Sequence, residues 1–258
     1  MTDKSENVHN GADESAAADV TEADKSGHKS VSTARSVLPS VGVVGGTGPA
    51  GSALAARLAS VGIQVVLGSR SKYRAMEIVD GVLEKWPDFD LPITAGDNDE
   101  AAGADLVVIA TPWAAAAITA RSVADRVKGK VVITMANALT RVGDEFIPLI
   151  PPRGSVAASV QSMVPDSLVA AAFQHVPAHE LGDLSRPIDS DVLICSDHRS
   201  AVDAVTELVR HIPNFRALDC GELSNATAIE AFTAVLLQLN VRYKTRVELN
   251  LLGIPDSI

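Results

Sequence analysis

Aromatic residues are scarce in this chain. They make up 3% of 258 residues, so its interior must be built mainly from aliphatic side chains; apolar residues total 47%, enough for a large core. Cysteine is equally sparse. Cys195 and Cys220 match neither a disulfide framework nor the spacing of a zinc site, and read as small buried hydrophobes in a reducing compartment. Positive charge is in deficit: 22 Lys and Arg stand against 32 Asp and Glu, a formal net charge of -10. That balance opposes binding to nucleic acid or to an anionic membrane. No apolar run approaches the roughly 20 residues that span a bilayer. The N-terminus also lacks a basic segment followed by an apolar stretch, so a cytoplasmic protein is expected. Ser-His-Asp, H-E-x-x-H and paired-carboxylate signatures are missing, so no side chain is marked as catalytic and no metal site is expected.

Residues 1–39 contain Ser, Ala, Asp, Glu and Lys but no aromatic residue. Such a segment cannot bury enough apolar surface to offset its ordering entropy, and a disordered tail is expected there. Residues 40–258 are expected to form the folded body. Val41-Gly42-Val43-Val44 predicts a buried strand, Gly51 to Gly62 a helix, and Gln64 to Gly68 a second strand. A helix near Tyr73 to Trp86 and a short strand at Leu91 to Thr94 follow. Asp105 to Ala110 and Lys130 to Thr134 read as strands separated by an alanine-rich helix. Strands that are apolar on both faces and alternate with helices define an α/β, Rossmann-type doubly wound parallel sheet. The later chain predicts strands at Leu168 to Val176, Asp191 to Cys195 and Arg216 to Asp219, and a helix at Arg199 to His211. Ser224-Asn225 would cap a last apolar helix through Ile229, Phe232, Val235, Leu236 and Leu239. This portion forms a small C-terminal annex, whose last helix either packs on the body or makes a homodimer interface.

The chemistry-bearing segment is Gly45-Gly46-Thr47-Gly48-Pro49-Ala50-Gly51, with G-x-G-x-x-G at Gly46, Gly48 and Gly51. Strand before and helix after give it the context of a dinucleotide fingerprint. Gly46 would permit the tight turn, Gly48 the approach of a pyrophosphate, and Gly51 close packing of helix on strand. An NAD site places Asp or Glu at the end of the second strand, for the ribose hydroxyls. Here that point reads Gly68-Ser69-Arg70-Ser71-Lys72-Tyr73-Arg74, with no carboxylate and three cations. Arg can hold a 2′-phosphate in a charge-assisted fork, so NADP(H) is expected. Trp113 ends the fourth strand and either lies against the cofactor or packs under a loop. His175 is open to three roles: acid, pocket group or core residue.

Five segments resemble one family. Gly45-Gly46-Thr47-Gly48, Gly68-Ser69-Arg70, Thr111-Pro112-Trp113, Phe173-Gln174-His175-Val176-Pro177-Ala178 and Leu218-Asp219-Cys220-Gly221-Glu222-Leu223-Ser224-Asn225 look like the NADPH-dependent reductases of the deazaflavin coenzyme F420. The resemblance implies hydride exchange between NADP(H) and F420, two small-molecule coenzymes. It implies Thr47, Gly48, Pro49 and Ala50 on the pyrophosphate, and Ser69, Arg70 and Arg74 on the 2′-phosphate. Trp113, Leu139 and Ala178 would line the nicotinamide side. The family's histidine falls at Gln174 here, and one step along a strand reverses a side chain's face, so its role does not pass to His175. Cys220 and Glu222 also depart from the family pattern. Two further readings stand beside this one: an NADP-dependent imine or ketone reductase of the pyrroline-carboxylate-reductase type, and an NADP sensor without turnover.

Overall fold

Val41 and Val43 point into one apolar cluster with Leu54 and Leu58, while Val44 joins Ile109 and Val132 in another. That alternation belongs to β1 (Val41–Val44), buried along its whole length, and it explains why both sheet faces need covering. The computed structural model describes residues 38–254. In it β1 lies between β2 (Val65–Ser69) and β4 (Leu106–Ile109), both in parallel register. Outward from β2 comes β3 (Ile93–Asp97); outward from β4 come β5 (Val131–Thr134) and β8 (Leu168–Ala171). The strand order β3-β2-β1-β4-β5-β8 reverses direction between β1 and β4, the switch point outside which ligands of such sheets bind.

One face is covered by α1 (Pro49–Ser60), α2 (Lys72–Lys85) and α7 (Arg199–Arg210) through Leu54, Val79, Val205 and Leu208. The other is covered by α3 (Asn98–Ala101), α4 (Trp113–Ser122), α5 (Val156–Met163) and the start of α8 (Ala226–Tyr243). Beyond β8 the annex contributes α6 (Ala178–Leu181) and a parallel pair, β9 (Ser190–Ile194) with β10 (Phe215–Asp219). It is joined to the main sheet by an antiparallel bridge between Ala171 and Cys195. A hairpin, β6 (Leu139–Val142) and β7 (Glu145–Pro148), projects after β5.

Several boundaries differ from the sequence expectations, each for a local reason. The first helix starts at Pro49, whose fixed φ and missing N–H suit a first helical position. The third strand lies at Ile93–Asp97 rather than Leu91 to Thr94. The strand expected at Leu168 to Val176 stops at Ala171, because Phe173 adopts a left-handed φ of 63° that turns the chain out of the sheet. Ser224 and Asn225 lie in a 3₁₀ turn, and the Asn225 amide donates to the Cys220 carbonyl (2.7 Å) instead of capping α8. The hairpin and α5 were not anticipated. α5 nonetheless carries a readable start: the Ser155 hydroxyl accepts from the Ala158 N–H at 2.9 Å. The tail expected over residues 1–39 falls, up to residue 37, outside the described residues.

Candidate functional site

Gly45 leaves β1 with a φ of 68°, so the left-handed turn sits here and not at Gly46 as expected. A Cβ on Gly45 would lie 2.1 Å from the Thr111 methyl, and one on Gly46 would lie 2.8 Å from the Val43 carbonyl oxygen. The Gly45 and Gly46 amides are used internally. Gly45 N–H donates to Asn98 Oδ1 (3.0 Å) and Gly46 N–H to the Gly68 carbonyl (2.9 Å). The Thr47, Gly48 and Ala50 amides donate to no acceptor among the described residues. They surround the N-terminus of α1, whose dipole favours an anion. Gly48 itself faces open space: a Cβ there would meet nothing within 4 Å. Gly51 is the opposite case, since its Cβ would come within 2.8 Å of Gly46 Cα. An open cradle at Gly48 above a closely packed Gly51 fits a bound pyrophosphate.

α3 is a positioning element that the sequence did not disclose. It rests on glycines: a Cβ on Gly42 would strike the Ala101 carbonyl oxygen at 1.7 Å, and one on Gly68 would meet Ala101 at 2.6 Å. That proximity brings Asn98 under the glycine turn. A capping box between Asp97 and Glu100 holds the short helix.

At the end of β2, Ser69 is buried while Arg70 is exposed, without an ion-pair partner among the described residues. The cluster of three cations is therefore less free than its sequence suggests. Lys72 is bound to Glu100 at 2.7 Å, which raises its pKa and lowers that of the carboxylate, and Arg74 is bound to Glu77 at 2.9 Å. Arg70 is left as the available guanidinium beside the Ser69 hydroxyl.

Ala50, Leu139 and Ala178 come together on one pocket of about 340 Å³, with Asn137, Phe173 to Pro177, and Thr233 and Leu236 of α8. Trp113 is not among its lining residues; half-buried, it packs against the cluster on the α4 face. The turn at Phe173 places Gln174 and His175 together at the pocket, so the strand alternation expected between them does not apply. His175 Nε2–H donates to the Asp191 carbonyl (2.8 Å) while its Nδ1 is buried without a partner. Burial lowers its pKa, so the ring is neutral near pH 7 and is a poor proton donor. Both amide atoms of Gln174 are buried and unpartnered as well. Its carbonyl is fixed by Asn137 Nδ2 (2.6 Å), and the Thr233 hydroxyl approaches it at 3.4 Å.

Glu230, on α8, is buried outside the pocket's lining and ties that helix to α5. Its carboxylate accepts from the Val156 and Ala157 amides at the start of α5 (2.8 and 3.1 Å), and burial pushes its pKa up to about 7. The two thiols lie just beyond the paired ends of β9 and β10; burial pushes Cys195 up to about 12, which leaves it inert. Among the described residues no cluster of His, Cys, Asp or Glu could hold a metal ion, and no helix is long and apolar enough to cross a membrane.

A parallel sheet with an open glycine cradle at its switch point defines a Rossmann-type dinucleotide-binding fold. Residues 40–138 match the family described as NADP oxidoreductase, coenzyme F420-dependent. The chain is 38% identical over 213 residues to the F420-dependent NADP reductase of Methanothermobacter marburgensis, covering 80% of this chain and 94% of that one. It is 36% identical over 211 residues to the enzyme of the same name from Methanocaldococcus jannaschii, again covering 80% and 94%. A crystal structure from Arthrobacter sp. FB24, described as an F420-dependent NADP reductase, shares the fold with a TM-score of 0.69. It is 22% identical, over 83% of this chain and 100% of that one. The chain belongs to the F420-dependent NADP reductase family.

Proposed function

We propose that this chain is an oxidoreductase that passes hydride directly between NADP(H) and coenzyme F420. The observation that carries the nucleotide half is the end of β2, where Ser69 and Arg70, which has no ion-pair partner among the described residues, occupy the position at which an NAD site needs a carboxylate. The Thr47, Gly48 and Ala50 amides, with Pro49 at the first helical position, hold the pyrophosphate. Ser69 and Arg70 hold the 2′-phosphate, and Arg74 joins them by leaving Glu77. Ala50, Leu139 and Ala178 shape the apolar wall on which the nicotinamide lies, while Trp113, the first residue of α4, lies outside that pocket's lining.

When bound, the nicotinamide and deazaflavin rings supply the hydride donor and acceptor. The protein's part is to align the two rings and exclude water, and it needs no covalent intermediate. A neutral His175, tied to the Asp191 carbonyl, fits that division of labour because nothing in the pocket has to deliver a proton to the reacting carbons. The working unit is a homodimer. Phe232 and Val235 leave an apolar stripe on α8 exposed, and α8 packs beside β7, where Ile147 is exposed too. Two free thiols suit a cytoplasmic setting.

The test is bleaching of the oxidised deazaflavin's visible absorbance by NADPH, compared with NADH. Rapid loss with NADPH and at least tenfold slower loss with NADH is expected. Nucleotide binding without bleaching would mark a sensor. Oxidation of NADPH by a cyclic imine but not by F420 would mark an imine reductase.

A further inference from the structure

Ala50, Ala53 and Arg57, spaced i, i+3 and i+7 on α1, share one face of that helix. The same face meets α6. Arg57 is buried, and its hydrogen bonds among the described residues all go to main-chain carbonyls. Nε donates to Leu181 (3.0 Å), Nη2 to Glu180 (3.1 Å) and Asp183 (2.6 Å), and Nη1 to Arg186 (3.4 Å). Burial opposes the guanidinium's charge and Asp183 supports it, so these carbonyls stand in for the water that the cation has lost.

α6 has little of its own to hold it in place. It is four residues long, starts after Pro177 without a side-chain cap, and is too short to persist as an isolated helix. Its position is set from outside, by Arg57 at its C-terminal carbonyls and by Gly182, where a Cβ would lie 3.1 Å from Ala53 Cβ. That position matters to the pocket. Pro177, Ala178 and His179 line it from the start of α6, and Ala50 lines it from the first turn of α1. The Thr47, Gly48 and Ala50 amides, which donate to no acceptor among the described residues, lie at that same end of α1. One helix thus carries the pyrophosphate end, one wall of the pocket and, through Arg57, a second wall.

Resting on the reading above, in which the nicotinamide lies against Ala50 and Ala178, we propose that Arg57 is a positioning residue for hydride transfer. It clamps α6 to α1 and so fixes where the ring sits relative to the pyrophosphate. It acts through Ala178 and needs no contact with either coenzyme. With the clamp loosened, the nucleotide stays anchored while its ring wanders, and a misplacement of about 1 Å at the reacting carbons can cost about 10²-fold in rate.

The test pairs two measurements. One is the single-turnover rate at which saturating NADPH reduces F420. The other is the Kd of 2′-phospho-ADP-ribose, which keeps the nucleotide's anchor and lacks the nicotinamide. Arg57→Met should slow hydride transfer roughly tenfold, and Arg57→Lys, which keeps the charge without the fork, roughly threefold. Gly182→Ala reaches the same contact from the other side. Its φ of −90° suits alanine, and the added methyl must push α6 off Ala53 by a few tenths of an ångström. Roughly threefold slowing is expected there, with the Kd of 2′-phospho-ADP-ribose within about twofold of the original in every variant. A variant that was merely destabilised would not separate the two readouts in this way, and if Arg57→Met does not fold, the two milder changes decide. Unaltered rates in Arg57→Lys and Gly182→Ala, or an equal loss of 2′-phospho-ADP-ribose binding, would overturn the proposal. Absence of F420 reduction by the unmutated protein would overturn the functional reading, and this proposal with it.

Discussion

Arg70 is the residue on which nucleotide choice turns. Lys72 and Arg74 are engaged by Glu100 and Glu77, whereas Arg70 has no such partner among the described residues, so removing it takes away the available charge. Arg70→Ala should weaken NADPH binding at least tenfold while leaving NADH binding nearly unchanged, a charge-assisted contact being worth about 1.5–3 kcal/mol. Calorimetric titration with both nucleotides measures this, and equal losses would remove Arg70 from the 2′-phosphate. Glu230 supplies a second expectation at the same scale. Its folded pKa of about 7 lies above the ordinary 4.5, so between those values the folded state holds a proton that the unfolded state has lost. Stability is therefore fully present below about pH 4.5 and declines as pH rises through 7, by at most about 3 kcal/mol from this group. Glu230→Gln should flatten that decline in denaturant melts between pH 5 and 8; an unaltered slope would show that Glu230 is not the titrating group. The residue identities at the end of β2 were legible in sequence. Their pairing was not, because Glu100 reaches Lys72 only through the packing of α3 on Gly42 and Gly68.

Among the elements, the glycine turn separates folding from binding within one motif. Gly48 has ordinary extended backbone and open space around its missing side chain, whereas Gly51 is pressed against Gly46 and Ala110. Gly48→Val should thus abolish nucleotide binding while shifting stability by less than about 1 kcal/mol. Gly51→Val should destabilise the fold by about 1–3 kcal/mol or more through overpacking. Thermal melts paired with NADPH titration distinguish them, and a melting loss at Gly48 as large as that at Gly51 would contradict this division. The β1–α1–β2 unit could be read from the chain because apolar runs, glycines and Pro49 all signal the same local structure. The turn at Phe173 could not: nothing local marks a bulky aromatic residue for a left-handed conformation, and here that residue is buried in the pocket's lining. The hairpin β6–β7 was hidden for a different reason. Its residues are largely exposed, so it lacks the apolar alternation by which strands are recognised.

For the whole molecule, an acidic chain that handles two anionic coenzymes must supply positive charge locally, and Arg70 at the end of β2 is placed to do so. The pocket is walled by Leu139, Ala178 and α8, with a neutral histidine and no paired carboxylates. This arrangement suits two carriers brought face to face and leaves no essential proton transfer to the protein. The most direct measurement follows the hydride itself. NADPH deuterated at C4 on the transferred face is mixed with oxidised F420 in ordinary water, and the reduced deazaflavin is examined by mass spectrometry. Direct transfer predicts one deuterium on the deazaflavin, with no washout into solvent. Recovery of unlabelled reduced coenzyme would contradict it.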